Sequence, residues 1–232
     1  MMRTFKVLGL LLTYPHEELQ QHMAEMKTIL VDEGLIPEKI RKPLFVFMDD
    51  LARHDILSIQ EEYVSLFDRG RSHSLYLFEH VHGESRDRGP AMVDLMEYYA
   101  RQGFRIAANE LPDYLPLFLE FLSVSPFAEA QELLGDTVHI IATIGAKMKV
   151  KGSSYRHVFR ALEALSSVKV DKKIVQQAMD DAAREDTSLE ALDREWEEAP
   201  AFDGTDTADC NLCPQVTRHR AGRSGASSPH HS

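Results

Sequence analysis

Apolar residues recur at intervals of three and four along most of this chain, as in Leu19, Met23, Met26 and Leu30, and again in Ile40, Leu44, Phe47, Met48 and Leu51. That period lines one face of an α-helix, and the apolar face then packs inward. Pro15 and Pro37 stand where helices begin, and Gly34 and the pair Gly152-Ser153 where they end. From Asp55, a residue suited to an N-cap, the stripe Ile59, Tyr63, Leu66, Phe67 runs helically until Gly70 interrupts it. Gly89-Pro90 opens the next helix, Met92, Leu95, Met96 and Tyr99 share its apolar face, and Gly103 closes it.

After Pro112 the run Tyr114, Leu115, Leu117, Phe118, Leu119, Phe121, Leu122 is apolar on nearly every side, which predicts a centrally buried helix. Further helices are predicted over 129–150, 155–166 and 172–184, and Thr187 and Glu190 are spaced as a capping box ahead of Trp196. Strand-like alternation persists nowhere, and no repeat of 20 to 50 residues is visible. The pattern predicts an all-α, single-domain bundle of about ten helices over 1–200. Residues 201–232 are rich in Gly, Ser, Thr, Asp and His, too poor in large apolar side chains to offset the entropy of ordering, and are expected to form a disordered tail.

Composition narrows the partners. A chain of 232 residues, 44% hydrophobic, can bury a substantial core without cofactor or cross-link. Its 37 acidic against 26 basic residues give a formal charge of −11, which opposes phosphate backbones and anionic lipid at long range. Nucleic acid is therefore not expected as a partner. The apolar stretch at 7–12 is too short to span a bilayer and no small-residue cleavage site follows it, so a cytoplasmic protein without membrane insertion is expected. Cys210 and Cys213, the only cysteines, are half of a metal motif in the tail and are taken as incidental.

The densest chemistry lies between the third and fourth predicted helices. Asp68, Glu79, Glu84 and Asp87 equal Arg69, Arg71, Arg86 and Arg88 in number, which favours internal pairing over a basic patch. The same four arginines are the candidate anion site, since guanidinium groups bind phosphate bidentately. Glu79, His80 and His82 offer metal-ligand types, but a His-x-His pair converges only on extended backbone, so hydrogen bonding within a polar connector is preferred and no metal or cofactor is expected. Asp94, Glu110 and Asp113 read as caps or ion pairs, because no nucleophile elbow, phosphate loop or zinc-binding helix accompanies them; an enzyme is not expected. Tyr63, Leu66 and Phe67 share a face that base rates assign to the core.

The segments YVSLFDRGR, SLYLFEHVHGESRDRG, AMVDLMEYY and ELPDYLPLFLEFL resemble the nitrate reductase molybdenum cofactor assembly chaperones, the NarJ and NarW branch of the TorD-like family. The resemblance is densest over 63–124, extends more loosely from the N-terminus through Trp196, and fails in the tail. It implies a chaperone, not an enzyme, that binds the N-terminal segment of the apo catalytic (alpha) subunit of respiratory nitrate reductase. Such a chaperone prevents premature membrane docking, keeps the subunit competent for molybdenum cofactor insertion and iron-sulfur assembly, and is no part of the finished enzyme. The machinery that delivers the molybdenum cofactor is a further implied partner.

Two family motifs carry over by position. A Tyr-x-x-Leu-Phe face falls on Tyr63, Leu66 and Phe67, and a Glu-x-Pro-Asp-His motif falls on Glu110, Pro112 and Asp113. Its last position departs, with Tyr114 where relatives carry histidine, which removes an imidazole but keeps a ring with a polar tip. The resemblance thus predicts a client-peptide groove between the Tyr63 helix and the Tyr114 helix, rimmed by acidic residues. The alternative is a carrier that binds the molybdopterin guanine dinucleotide cofactor directly through Arg69, Arg71, Arg86 and Arg88. A structural subunit of the reductase is a third reading.

Overall fold

The computed structural model describes residues 2–69, 71–83, 85–106 and 110–184, and over them helix follows helix. In chain order these are α1 (Arg3–Leu10), α2 (Glu17–Gln21), α3 (Met23–Glu33), α4 (Glu38–Arg53), α5 (Ile56–Phe67), a 3-10 turn (Arg71–His73), α6 (Leu77–Val81), α7 (Arg88–Arg101), α8 (Leu115–Val124), α9 (Phe127–Val150), α10 (Arg156–Leu165) and α11 (Lys172–Arg184). Eleven α-helices among the described residues bear out the all-α expectation, and the only β pairing among them is the isolated bridge Tyr76↔Tyr114. The described residues all belong to one unit, Met1–Leu192. The expected boundary at 200, the Thr187 and Glu190 capping box, Trp196 and the two cysteines lie outside the described residues. No described helix is long and apolar enough to cross a membrane.

Local chemistry sets the boundaries. Asp55 caps α5 by accepting the Ser58 backbone N–H at 3.2 Å. Gly34, Gly103 and Gly152 end α3, α7 and α9 at positive φ, where a side chain would be strained. One expected helix is broken: the stripe Leu19, Met23, Met26, Leu30 is divided between α2 and α3 at His22, whose ring nitrogen Nδ1 bonds the Glu18 carbonyl at 2.8 Å. The backbone leaves the helical range at His22, at φ −96° and ψ 4°, while its N–H still reaches the Glu18 carbonyl at 3.3 Å.

α9, of 24 residues, is the centre of the bundle and buries Leu134, Val138, Ile141, Ile144 and Met148. α8 is buried at Leu115, Pro116, Phe118, Leu119, Phe121 and Leu122, as its composition predicts. Two glycines set the helix spacing. A Cβ on Gly9 would lie 3.1 Å from the Pro116 carbonyl oxygen of α8, and one on Gly145 would lie 2.8 Å from the Phe159 Cβ of α10. Close approach at these points lets α1 pack on α8 and α10 on α9.

α1 has no capping side chain of its own at Met2. Glu33, at the end of α3, supplies one from thirty residues away, its carboxylate accepting the backbone N–H groups of Arg3 and Thr4, both at 2.8 Å. α7 is attached differently. Its one buried residue is Tyr99, stacked on Phe121 and Phe104 with its hydroxyl donating to the Pro112 carbonyl at 2.9 Å.

Candidate functional site

The end of α5, the irregular connector and the entry to α8 meet at one place. Leu115 donates its N–H to the Leu75 carbonyl at 2.8 Å and Leu77 donates to the Asp113 carbonyl at 3.0 Å, which makes the Tyr76↔Tyr114 bridge. The chain around Pro112, Asp113 and Tyr114 is thus laid antiparallel to the start of α6. Their rings follow, Tyr76 and Tyr114 lying 5.3 Å apart and Tyr76 directing its hydroxyl to Glu110 at 3.5 Å. Burial, with Glu110 adding to it, pushes the Tyr76 phenol up to about 12.

Tyr114 touches a second tyrosine. The Tyr63 hydroxyl donates to the Leu12 carbonyl at 2.9 Å and stands 3.4 Å from the Tyr114 hydroxyl, while Tyr14 packs edge-on to Tyr63 at 5.6 Å. Burial raises both the Tyr63 and Tyr114 phenols, so these groups are neutral hydrogen-bonding tips on apolar rings. Tyr63, Leu66 and Phe67 are 4%, 6% and 6% exposed. They are core, as base rates predicted, and Phe67 stacks on Tyr63 and Tyr155 at 4.9 and 5.1 Å. Pro112 is buried, Asp113 fully so, and Glu110 is exposed.

Asp113 holds α6 in place. Its Oδ2 accepts the Phe78 N–H at 3.0 Å and lies 4.0 Å from the Arg88 guanidinium, which itself reaches Glu79 at 3.4 Å. Oδ1 is buried with no hydrogen-bond partner among the described residues. Burial raises the Asp113 carboxyl, against the opposing pull of the Phe78 N–H and of Arg88. His80 Nε2 bonds the Ser74 carbonyl at 2.8 Å, and burial lowers its pKa. Lys147 of α9 donates to the Ser72 carbonyl at 3.1 Å, tying the connector to the bundle centre.

The balanced charges of the connector are only partly joined. Among the described residues Arg88 alone of the four arginines meets carboxylates, while Arg69 and Arg86 are exposed and unpaired. Asp87 accepts from the Ser85 hydroxyl at 3.2 Å. His82 packs edge-on to Phe78 instead of meeting Glu79 and His80 at a common point. The Arg71 side chain and Glu84 lie outside the described residues. No group of three or more His, Cys, Asp or Glu among them is arranged to hold a metal.

The open surface beside these residues was not marked by sequence reasoning. A cleft of about 470 Å³ lies between α1 and the α8 entry, lined by Leu10, Tyr14, Glu110, Tyr114, Pro116 and Leu117 among others. A second cleft of about 480 Å³ lies on the other flank of α1, lined by Val7, Leu10, Tyr14, Leu19, Met26 and Ile29 with a polar rim. Lys6, Leu10, Thr13, Tyr14 and His16 belong to both, so α1 is a ridge between two apolar troughs. Leu10 is 38% exposed and Tyr14 37%. The signal available was a glycine, Gly9, inside an apolar helical run followed by Tyr14-Pro15.

Among the described residues the body is all helical, with apolar troughs beside a polar aromatic cluster. The chain belongs to the nitrate reductase delta subunit family, whose model matches residues 16–161, and within it to the molybdenum cofactor assembly chaperones. It is 43% identical over 192 residues, 83% of this chain and 81% of the relative, to the nitrate reductase molybdenum cofactor assembly chaperone NarJ of Escherichia coli (strain K12). NarW of the same strain is 39% identical over 197 residues, 85% of this chain and 82% of the relative. NarJ of Bacillus subtilis (strain 168) is 29% identical over 172 residues, 74% of this chain and 92% of the relative. The last two are named as probable nitrate reductase molybdenum cofactor assembly chaperones.

Proposed function

We propose that this protein is a cytoplasmic chaperone that binds the N-terminal segment of the apo catalytic subunit of respiratory nitrate reductase. It keeps that subunit from docking at the membrane too early and competent for insertion of the molybdenum cofactor and its iron-sulfur clusters, and it then leaves. The observation that carries this reading is the pair of apolar troughs meeting at Leu10 and Tyr14, with Glu110 and Tyr114 on the wall of one of them. An amphipathic leader segment seats its apolar residues in such troughs. Glu110, Glu18 and Glu25 on the two linings, where Lys6 is paired with Glu120 and Arg3 with Glu33, suit a leader of basic character.

In this reading Tyr114, Glu110 and Tyr14 touch the client. Tyr63 acts through its hydroxyl beside Tyr114, while Leu66 and Phe67 brace the wall from the core, and Pro112 and Asp113 fix the mouth. Three or four buried anchors contribute about 1.5 to 3 kcal/mol each. Less the cost of ordering a flexible peptide, that leaves an affinity of roughly micromolar order or somewhat tighter. Release then requires no chemical fuel.

Calorimetric titration of the full chain with a synthetic peptide of the reductase catalytic subunit's N-terminus tests the proposal. Leu10→Ser and Tyr114→Ala should each weaken binding by about tenfold or more while the fold persists. Phe67→Ala should weaken binding only together with a marked fall in melting temperature. Peptide affinity unchanged in folded Leu10→Ser and Tyr114→Ala would remove the troughs from the mechanism.

A further inference from the structure

On another part of the bundle, α4, α9, α10 and α11 enclose a cleft of about 390 Å³ whose lining has a charge opposite to that of the chain. Lys39 of α4, Lys149 of α9, and Arg156 and Arg160 of α10 all line it, with Glu163 as the one acidic group. In a chain of formal charge −11, four permanent cations around one cavity are a local reversal. None of the four makes an ion pair among the described residues. Arg156 instead donates from Nη1 to the carbonyls of Gly152 and Ser153 at 3.3 and 3.1 Å, which holds its guanidinium at the cleft without neutralising it.

The floor differs from the rim. Ile40 and Pro43 of α4 and Val175 and Met179 of α11 supply part-buried apolar surface, over a base of buried Ala142, Gly145 and Ala146 of α9. A cavity of this volume is of small-molecule size. His157 shares the lining, and burial together with the nearby Arg156 and Arg160 guanidiniums lowers its pKa, which marks the local potential as positive.

We propose that the cleft between α4, α9, α10 and α11 binds a small molecule carrying two or more phosphates, its phosphates held by Arg156, Arg160, Lys149 and Lys39 and its uncharged body resting on Ile40, Pro43 and Val175. Guanidinium forks take phosphate oxygens in pairs, and the two lysines add point charges at the rim. Glu163, near Arg160, is the one group of the lining that repels phosphate, and it selects for a ligand that also presents a donor. This site shares no lining residue with the troughs beside α1 and stands or falls independently of the client-peptide reading.

Equilibrium titration of the full chain with inorganic pyrophosphate and with ATP, each in magnesium-free buffer, is the test. Saturable one-to-one binding of ATP, with pyrophosphate competing, is expected. The double variant Arg156→Gln, Arg160→Gln should weaken it by about tenfold or more, and Lys149→Gln, at an exposed position that the fold does not depend on, by roughly threefold. Arg101→Gln on α7 should change nothing. Absence of ATP binding at millimolar concentration, binding that survives the double variant and Lys149→Gln, or a glutamate-rich decapeptide that binds more tightly than ATP would each overturn the assignment, the last by making the cleft a peptide site.

Discussion

Phe78 donates its backbone N–H to the Oδ2 of Asp113, thirty-five residues later, at 3.0 Å, and that carboxylate has no exposure to solvent. α6 is therefore capped by the loop that starts α8. The folded protein binds the Asp113 proton more tightly than the unfolded chain does, because burial raises its pKa. Its contribution to stability is complete below the ordinary value of 3.8 and is lost as pH rises through the elevated one, so at neutral pH the buried charge is a cost.

Asp113→Asn keeps an acceptor for Phe78 and removes that charge. Its melting temperature at pH 7 should equal or exceed that of the parent, and the advantage should shrink as pH falls toward the ordinary Asp range. Asp113→Ala loses the cap and should cost about 1 to 2 kcal/mol. Thermal melts of the three proteins from pH 4 to 8 decide it; an Asn variant as unstable as the Ala variant at pH 7 contradicts the account.

Glu33 behaves in the opposite sense. Burial pulls its carboxyl upward, but hydrogen bonds from Thr4 and Arg3 outweigh that and leave it below its usual 4.5. The carboxylate's stabilisation is present above 4.5 and is lost as pH falls through the lowered value. Glu33→Ala should cost about 1 kcal/mol at pH 7, as loss of a cap does. Denaturant midpoints of parent and variant should converge in acid.

A methyl group on Gly145 has nowhere to go, since the Phe159 Cβ would stand 2.8 Å away. Gly145→Ala should destabilise by about 1 to 2 kcal/mol, overpacking outweighing the gain of roughly 1 kcal/mol in helix propensity. Gly89, also helical but with open space around it, is the control. Gly89→Ala should be neutral or slightly stabilising, and equal effects at the two sites would refute the steric argument.

Tyr63→Phe strips the donor from the buried Leu12 carbonyl and should cost about 1 to 2 kcal/mol. Tyr114→Phe removes a hydroxyl whose one partner, at 3.4 Å, keeps a stronger bond elsewhere, so its stability should change by less than about 0.5 kcal/mol. Chemical unfolding of both variants measures the difference.

The helices were legible because their apolar faces repeat faithfully. The start of α11 at Lys172 was legible, and the all-round apolar run after Pro112 was the buried helix α8. The break at His22 was not legible, since the apolar stripe runs through it without a glycine or proline to mark it. The site was half legible: the resemblance pointed to Tyr63, Glu110, Asp113 and Tyr114, which do come together. Their partners on α1 were invisible, because which side of a short amphipathic helix stays open depends on how α3 and α8 flank it. The cationic cleft joins residues from 39 to 179 that no sequence window contains.

α7 is held at few points. Fourteen residues long, it buries only Tyr99, whose ring sits between Phe104 and Phe121 and whose hydroxyl is bound to the Pro112 carbonyl. A helix held by part-buried Leu95 and Tyr98, the latter's hydroxyl donating to Glu129 of α9 at 2.8 Å, and by only one fully buried ring forms a low rung on the ladder of partial unfolding. Its amides should exchange with deuterium well ahead of those of α9, and because that one ring also grips the residue before Asp113, whatever loosens the helix loosens the entrance to α8 with it.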